Sequence, residues 1–345
     1  MTTPTQKATR KNWIDWMKAI GMLVIIWGHA FPTGLTAFIY SFNVPLFFIV
    51  SGYLFKQEAS MRIFFKKNLY SLIIPYLLLC LIKDFSHITK YWNNFQELIN
   101  CPIGILTGFH TFNDAPAAKN LWFVYTLFLL KVIFQISGNK RSNVILLFVA
   151  AIVGAVTLNH YNIHLDWAVT NTFSAMPWFM LGYIISSKYN IGFERVVSRI
   201  KDKKYFAIAT FAILTTLLLF ISAYNGEVRM FKGYYGHSMI LFLIFGLIGT
   251  ISIFALSVSL DSIRSKAVQI ISIGTMVILE FHRDLYHPFG KIVKNLSDGI
   301  VSEGLLSLTA SAIVLLLFIP IIMILQKIFP IILGKRKIPT NERDA

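Results

Sequence analysis

Cysteine is nearly absent. The 345 residues hold two, Cys80 and Cys101, too few for a disulfide framework or a cysteine metal centre, so each reads as an unpaired small hydrophobe. Charge is scarce as well: Asp and Glu number 16 against 32 Lys and Arg, and charged residues make up only 14% of the chain, where a soluble domain carries roughly 25%. No G-x-S-x-G elbow occurs, which excludes the strand-to-helix serine nucleophile of the α/β-hydrolases. A phosphate-cradling glycine loop, a nucleic-acid motif and a defensible internal repeat are also lacking, and an inverted-repeat transporter would often show the last of these.

What is present is apolar. Hydrophobic residues are 56% of the chain, with 30 Phe and 10 Met, and the mean hydropathy is +0.64. A water-soluble core cannot consume that much apolar surface, whereas lipid can cover it from outside. The fold expected is therefore all-α, a polytopic integral membrane helical bundle of about ten transmembrane helices with both termini cytoplasmic. At roughly 20 residues per span, the helices fall near 13–32, 38–55, 69–85, 120–136, 143–159, 168–186, 205–224, 236–256, 267–282 and 304–333. Residues 1–12 read as a cytoplasmic tail, 13–333 as one transmembrane domain and 334–345 as a basic cytoplasmic tail. The first apolar segment, Trp13 to Pro32, lacks a secretory cleavage site and is expected to be retained.

The formal charge of +16 and the pI near 9.8 do not point to nucleic acid. Lys and Arg cluster between hydrophobic runs, as in KQEASMRIFFKK and SKYNIGFERVVSRIKDKK, the pattern of cytoplasmic loops. Such patches attract anionic membrane lipid or a CoA-like ligand. The one long connection, about Asp84 to Lys119, reads as an outer loop, either passive or dipping back toward the helices.

Polar groups inside the apolar runs carry the chemistry. Asp15 and Lys18 are three apart on one helix face, and His29, eleven residues beyond Lys18, returns to nearly that face about 16 Å farther along. The alternatives are interfacial anchors and a packing histidine, or a polar path ending in a general base. The second helix holds Asn43, Pro45 and the pair Ser51-Gly52, which permits close helix approach. Trp122 and Trp178 are either interfacial belt residues or platforms for a sugar ring. Glu280 shares a face with Arg283 and Asp284, while His282 points elsewhere and either serves the site or lies at the interface. Trp167, Tyr234, Tyr235, Asp166, Glu227 and Arg229 are further candidates for an outer mouth.

The order of these signals resembles the membrane acyltransferase family called acyltransferase 3, in particular its sugar O-acetyltransferase branch similar to fucose 4-O-acetylases. The carrying motifs are Asp15, Lys18 and His29, then VPLFFIVSGYLF from Val44, KKNLYSLIIPY from Lys66, NLWFVYTLF from Asn120, PWFMLGY from Pro177 and ISIGTMVILEFHR from Ile271. The resemblance implies O-acyl transfer, usually acetyl, from acetyl-CoA as acyl donor to a hydroxyl of a carbohydrate or lipid-linked saccharide of the cell envelope, in a bacterial cytoplasmic (inner) membrane and with no metal. It implies His29 as base, Lys18, Lys66 and Lys67 on the CoA phosphates, and Asp15 positioning Lys18. Ser51, Asn43 and Trp122 compete as donors to the oxyanion. Trp122, Trp178, Glu280, His282 and Arg283 would meet the acceptor. Members often carry Arg where this chain has Lys18, which keeps the charge and loses the bidentate fork, and Glu280 stands where apolar residues are common. The competing class is a proton-coupled secondary transporter with Asp15, Lys18, His29 and Glu280 as relay, a reading that leaves the basic mouth without a purpose.

Overall fold

Helices account for nearly all of the computed structural model, which describes residues 10–91, 94–107, 120–137, 141–163, 165 and 167–335. In chain order they are α1 (Asn12–His29), α2 (Thr36–Leu54), α3 (Met61–Asn68), a π-helical turn (Leu69–Ile73), α4 (Ile74–Tyr91), α5 (Phe95–Thr107), α6 (Trp122–Ser137) and α7 (Arg141–His160). Then follow α8 (Val169–Lys188), α9 (Asn190–Asp202), α10 (Lys204–Ile221), α11 (Met239–Ser259), α12 (Lys266–Ile273), α13 (Thr275–Leu296) and α14 (Ile300–Ile328). The all-α class matches the expectation from composition.

The expected count of about ten spans is overturned. Among the described residues six helices are long and apolar enough to cross a membrane: Thr36–Leu54, Met61–Phe85, Asn143–His160, Lys204–Tyr224, Met239–Ser259 and Ile300–Ile328. The four remaining expected spans fail for identifiable reasons. α1 carries Asp15 and Lys18 within 18 residues, α6 is only 16 residues long, and α8 opens on the polar run Thr170, Asn171, Thr172 and Ser174. The ninth is not one helix: the chain breaks at Gly274, where a Cβ would lie 2.1 Å from Ile322 Cδ1, and α13 continues through Glu280, Arg283 and Asp284. The expected long outer loop is also mostly helix, since α4 runs on to Tyr91 and α5 fills Phe95–Thr107. Residues 1–9, 108–119 and 336–345, which include most of both tails and the end of that connection, lie outside the described residues.

α1 runs through the middle of the bundle, in contact with α2, α11, α12, α13 and α14. Its neighbour α2 makes its closest approach to α8, through two glycines that face each other's backbones. A Cβ on Gly52 would sit 1.9 Å from Phe179 O, and one on Gly182 would sit 1.9 Å from Ile49 O. This is small-residue packing, which lets backbones touch where lipid offers no hydrophobic drive between helices. Beside the bundle, α9 turns charged residues outward and is pinned by Glu194, which pairs with Lys11 and accepts from Tyr53 Oη at 2.8 Å. Partial burial alone would raise the Glu194 carboxyl, but its hydrogen bonds to Lys11 and Tyr53 prevail and hold it below the usual carboxylate range.

Gly182→Leu forces the α2 and α8 backbones apart, at a cost of about 1–3 kcal/mol, and lowers the thermal transition of the detergent-solubilised protein. Gly192→Leu, on α9 with open space around the glycine, leaves the transition in place. Because Glu194 has a lowered pKa, its contribution to docking α9 is present above the unfolded carboxylate pKa and is lost as pH falls through the folded one. Hydrogen exchange across residues 190–202 should therefore quicken in acid, and Glu194→Gln should show that faster exchange at neutral pH.

Candidate active site

The polar stripe on α1 opens onto a cavity of about 550 Å³. Lys18, Met22, Ile25 and His29 line it from α1, spanning about 16 Å of helix rise, and Asn43 and Ser51 line it from α2. Trp122 and Asn120 close one wall, His282 and Arg283 another, and the segment Glu227 to Lys232 seals the end near His29. Lys18, His29, Asn43, Ser51, Trp122, His282 and Arg283, all singled out from sequence, thus share one space with two of the outer-mouth candidates, Glu227 and Arg229.

His29 ends α1 and holds its ring in place through a hydrogen bond with the previous turn. Nδ1 lies 2.9 Å from Ile25 O, and because a carbonyl only accepts, Nδ1 carries the proton and the lone pair is left at Nε2. His282 repeats the device on α13, with Nδ1 2.9 Å from both Ile278 O and Leu279 O. The two imidazoles meet edge to face, centroids 4.7 Å apart at 67°. Nε2 of His282 is buried with no hydrogen-bond partner among the described residues. Tyr40 fixes the frame from α2, donating to Gly28 O at 3.1 Å with its ring 6.1 Å from that of His29.

Asn43 is 1% exposed and one turn of packing away. Its Oδ1 accepts from Val44 N at 2.8 Å, which turns Nδ2 toward α1, where a Cβ on Gly28 would lie 3.5 Å from it. The amide therefore presents N–H donors beside His29. Ser51 lies eight residues farther along α2, about 12 Å toward the Lys18 end.

The other sequence candidates are placed elsewhere. Asp15 accepts a two-point fork from Arg10, Nε at 2.5 Å and Nη2 at 2.9 Å, and makes no hydrogen bond to Lys18, whose ammonium has no ion pair among the described residues. Lys66 is exposed on α3, and Lys67 beside it pairs with Glu58. Trp178 is buried in the core, edge-on to Phe242 with centroids 5.5 Å apart. Glu280 is fully buried off the cavity, its Oε1 3.5 Å from the Asn120 amide, and the expected Glu280-Arg283-Asp284 network does not form because Asp284 pairs with Lys83 of α4. Of the outer-mouth candidates, Glu227 and Arg229 line the cavity, Tyr235 is buried, Trp167 is half exposed, and Asp166 lies outside the described residues.

Sequence reasoning passed over Tyr40, Lys131 and Lys232. Lys131 is half-buried on α6, its Nζ 3.3 Å from Asn68 Oδ1, and a lysine in the middle of TLFLLKVIF was the available signal. Among the described residues no group of three or more His, Cys, Asp and Glu is placed to hold a metal ion.

A family model described as an acyltransferase domain, that of the acyltransferase 3 family, matches residues 11–327. The chain belongs to that family, a superfamily of membrane acyltransferases, and an acyl-CoA-dependent transfer activity follows in general from membership. No curated protein and no solved structure matches it.

A cavity that reaches from Lys18 to His29 should admit water-borne reagents to its walls. A cysteine placed at Ser51 is expected to react with a small methanethiosulfonate, read by intact-mass spectrometry. One placed at Ser257, fully buried on α11 with its hydroxyl on Ile253 O, should stay unmodified.

Proposed function

We propose that this member of the acyltransferase 3 family transfers acetyl from acetyl-CoA to a hydroxyl of a sugar in a cell-envelope glycan or lipid-linked saccharide, as the fucose 4-O-acetylase-like branch does, in a bacterial cytoplasmic membrane. The observation that carries the reading is His29, with its Nε2 lone pair available, inside the same cavity as the unpaired Lys18. A thioester donor is long and polyanionic, and its acyl end must travel from a cationic anchor to the base. The separation between Lys18 and His29 suits that path.

In this mechanism the acceptor hydroxyl gives its proton to His29 Nε2 while its oxygen attacks the thioester carbonyl. The Nδ1–H bond to Ile25 O keeps the ring in the basic tautomer and supports the imidazolium that forms. The negative charge on the carbonyl oxygen is assigned to the Asn43 amide, whose free N–H groups adjoin Gly28, in preference to Ser51, which is two turns nearer the donor entrance. When the tetrahedral intermediate collapses, the C–S bond breaks and the proton on His29 passes to the departing thiolate, giving the O-acyl ester and free CoA. His282, with a buried unpartnered Nε2 facing the first ring, helps to hold the acceptor. Lys18 anchors a donor phosphate, and Lys131, Lys66 and Lys67 extend the positive field on the α3 and α6 side. Asp15 acts through Arg10, fixing the start of α1.

The transporter reading weakens on Glu280. A proton-coupled carrier needs its buried carboxylate to face the solute path, and Glu280 lies behind Asn120, away from the cavity wall.

Membranes containing the wild-type chain should move radiolabelled acetyl from acetyl-CoA to envelope glycans. His29→Ala should lower that rate by about a hundredfold or more, the scale of a lost general base. Equal transfer by both chains would remove His29 from the chemistry.

A further inference from the structure

The segment that seals the His29 end of the cavity is a built element. Asn225 is 1% exposed and organises it: its Nδ2 donates to Tyr235 O at 2.9 Å, its Oδ1 accepts from Ser238 N at 2.8 Å, and its carbonyl accepts from His237 N at 2.8 Å. Arg229 and Tyr234 exchange backbone hydrogen bonds of 2.8 and 3.2 Å, the only β pairing among the described residues. Gly236 has φ +77° and a Cβ there would lie 2.2 Å from Asn225 O, so the turn accepts glycine alone. Asn171 of α8 donates to Met230 O at 3.0 Å and ties the loop to the bundle. Val228 and Met230 are buried while Arg229 and Lys232 are exposed, and all four line the cavity.

This arrangement gives the His29 end an unbalanced charge. Arg229, Lys232 and Arg283 line it, against one carboxylate, Glu227. Glu227 is engaged by the Arg229 fork, with Nε at 3.0 Å and Nη2 at 2.9 Å, which leaves Lys232 and Arg283 without ion pairs among the described residues. Asp284, next to Arg283, is turned away onto Lys83. Lys232 and Arg283 are exposed to solvent where they line the cavity, two cations within reach of a ligand that brings the counter-charge. The donor's anchor at Lys18 lies at the opposite end, so these cations face the other substrate.

Resting on the acyl-transfer reading above, we infer that the acceptor carries an anionic group, phosphate or carboxylate, which binds between Lys232 and Arg283 while a neighbouring hydroxyl reaches His29. Arg283 follows His282 directly, so the anion and the reacting hydroxyl lie within one small saccharide or its linkage. Arg229 spends its Nε and Nη2 edge on Glu227, and only its remaining N–H groups are left for the ligand.

The test uses full-length protein in nanodiscs and four probes: a neutral methyl hexoside, a hexose phosphate, a hexuronate and a polyprenyl-diphosphate-linked sugar. Binding is measured by intrinsic tryptophan fluorescence and acetyl transfer by labelled acetyl-CoA. At least one anionic probe is expected to bind ten times or more tighter than the neutral sugar, and whichever does so identifies the source of the charge. That preference should shrink at least tenfold in Lys232→Gln and in Arg283→Gln, and persist in Lys232→Arg. Size-exclusion profiles in detergent check that each variant folds. Equal binding of neutral and anionic probes, or a preference intact in both Gln variants, would overturn the inference. Transfer without any preference for charge removes the anion subsite and leaves acyl transfer standing. Charge-selective binding that is lost in the Gln variants, with no transfer to any probe, keeps the subsite and removes the acyl-transfer reading.

Discussion

A hydrogen-bonding group placed inside an apolar bundle must find a partner or water, and that requirement organises this molecule. Each helix that carries such groups has to turn them toward one another or toward a cavity. α1 carries them along its whole length, so it runs through the middle of the bundle, with α2, α11, α12, α13 and α14 around it. The cavity then follows as the space where Lys18, His29, Asn43, Ser51 and His282 face each other. Close contact between α2 and α8 at Gly52 and Gly182 holds α2 at the register that brings Asn43 level with Gly28.

The two histidines illustrate how backbone geometry sets chemistry. Each spends its Nδ1 proton on a carbonyl one turn back, so each presents a lone pair rather than a proton to the cavity. A single free Nε2 makes a base, and a second beside it makes an acceptor for another hydroxyl. A polyhydroxy ligand is well matched to such a pair. Lys18 at one end and Lys232 with Arg283 at the other are cations without ion pairs among the described residues, Glu227 being taken up by Arg229, which fits a polyanionic donor meeting an acceptor that also carries negative charge.

The central site was largely legible in the sequence because helical spacing alone relates Lys18 to His29, and because polar residues in apolar runs are expensive enough to be informative. Asn43 and Ser51 were likewise visible, though only packing against Gly28 separates their levels. The span count was not legible. Counting apolar runs ignores helix breaks such as Gly274, which needs Ile322 from a distant helix to become apparent, and it credits α8 and α13 with spans despite their polar runs. Partner choice was equally hidden. Asp15 looked paired with Lys18 through local spacing, yet Arg10 takes both of its oxygens, and Trp178 looked like a sugar platform until α11 covered it. The loop carrying Arg229 and Lys232 has no periodic pattern at all, and its orientation comes from Asn225 and Asn171.

The central claim is that one cavity delivers a donor anchored near Lys18 to His29. It is tested most directly by a non-hydrolysable CoA thioether bearing a small photoreactive group in place of the acetyl, crosslinked to the protein and mapped by mass spectrometry. The account predicts adducts on the walls beside His29, at Asn43, Trp122 or His282, suppressed by excess acetyl-CoA. Adducts confined to α3 or to the outer faces of the bundle, under the same competition, would contradict it.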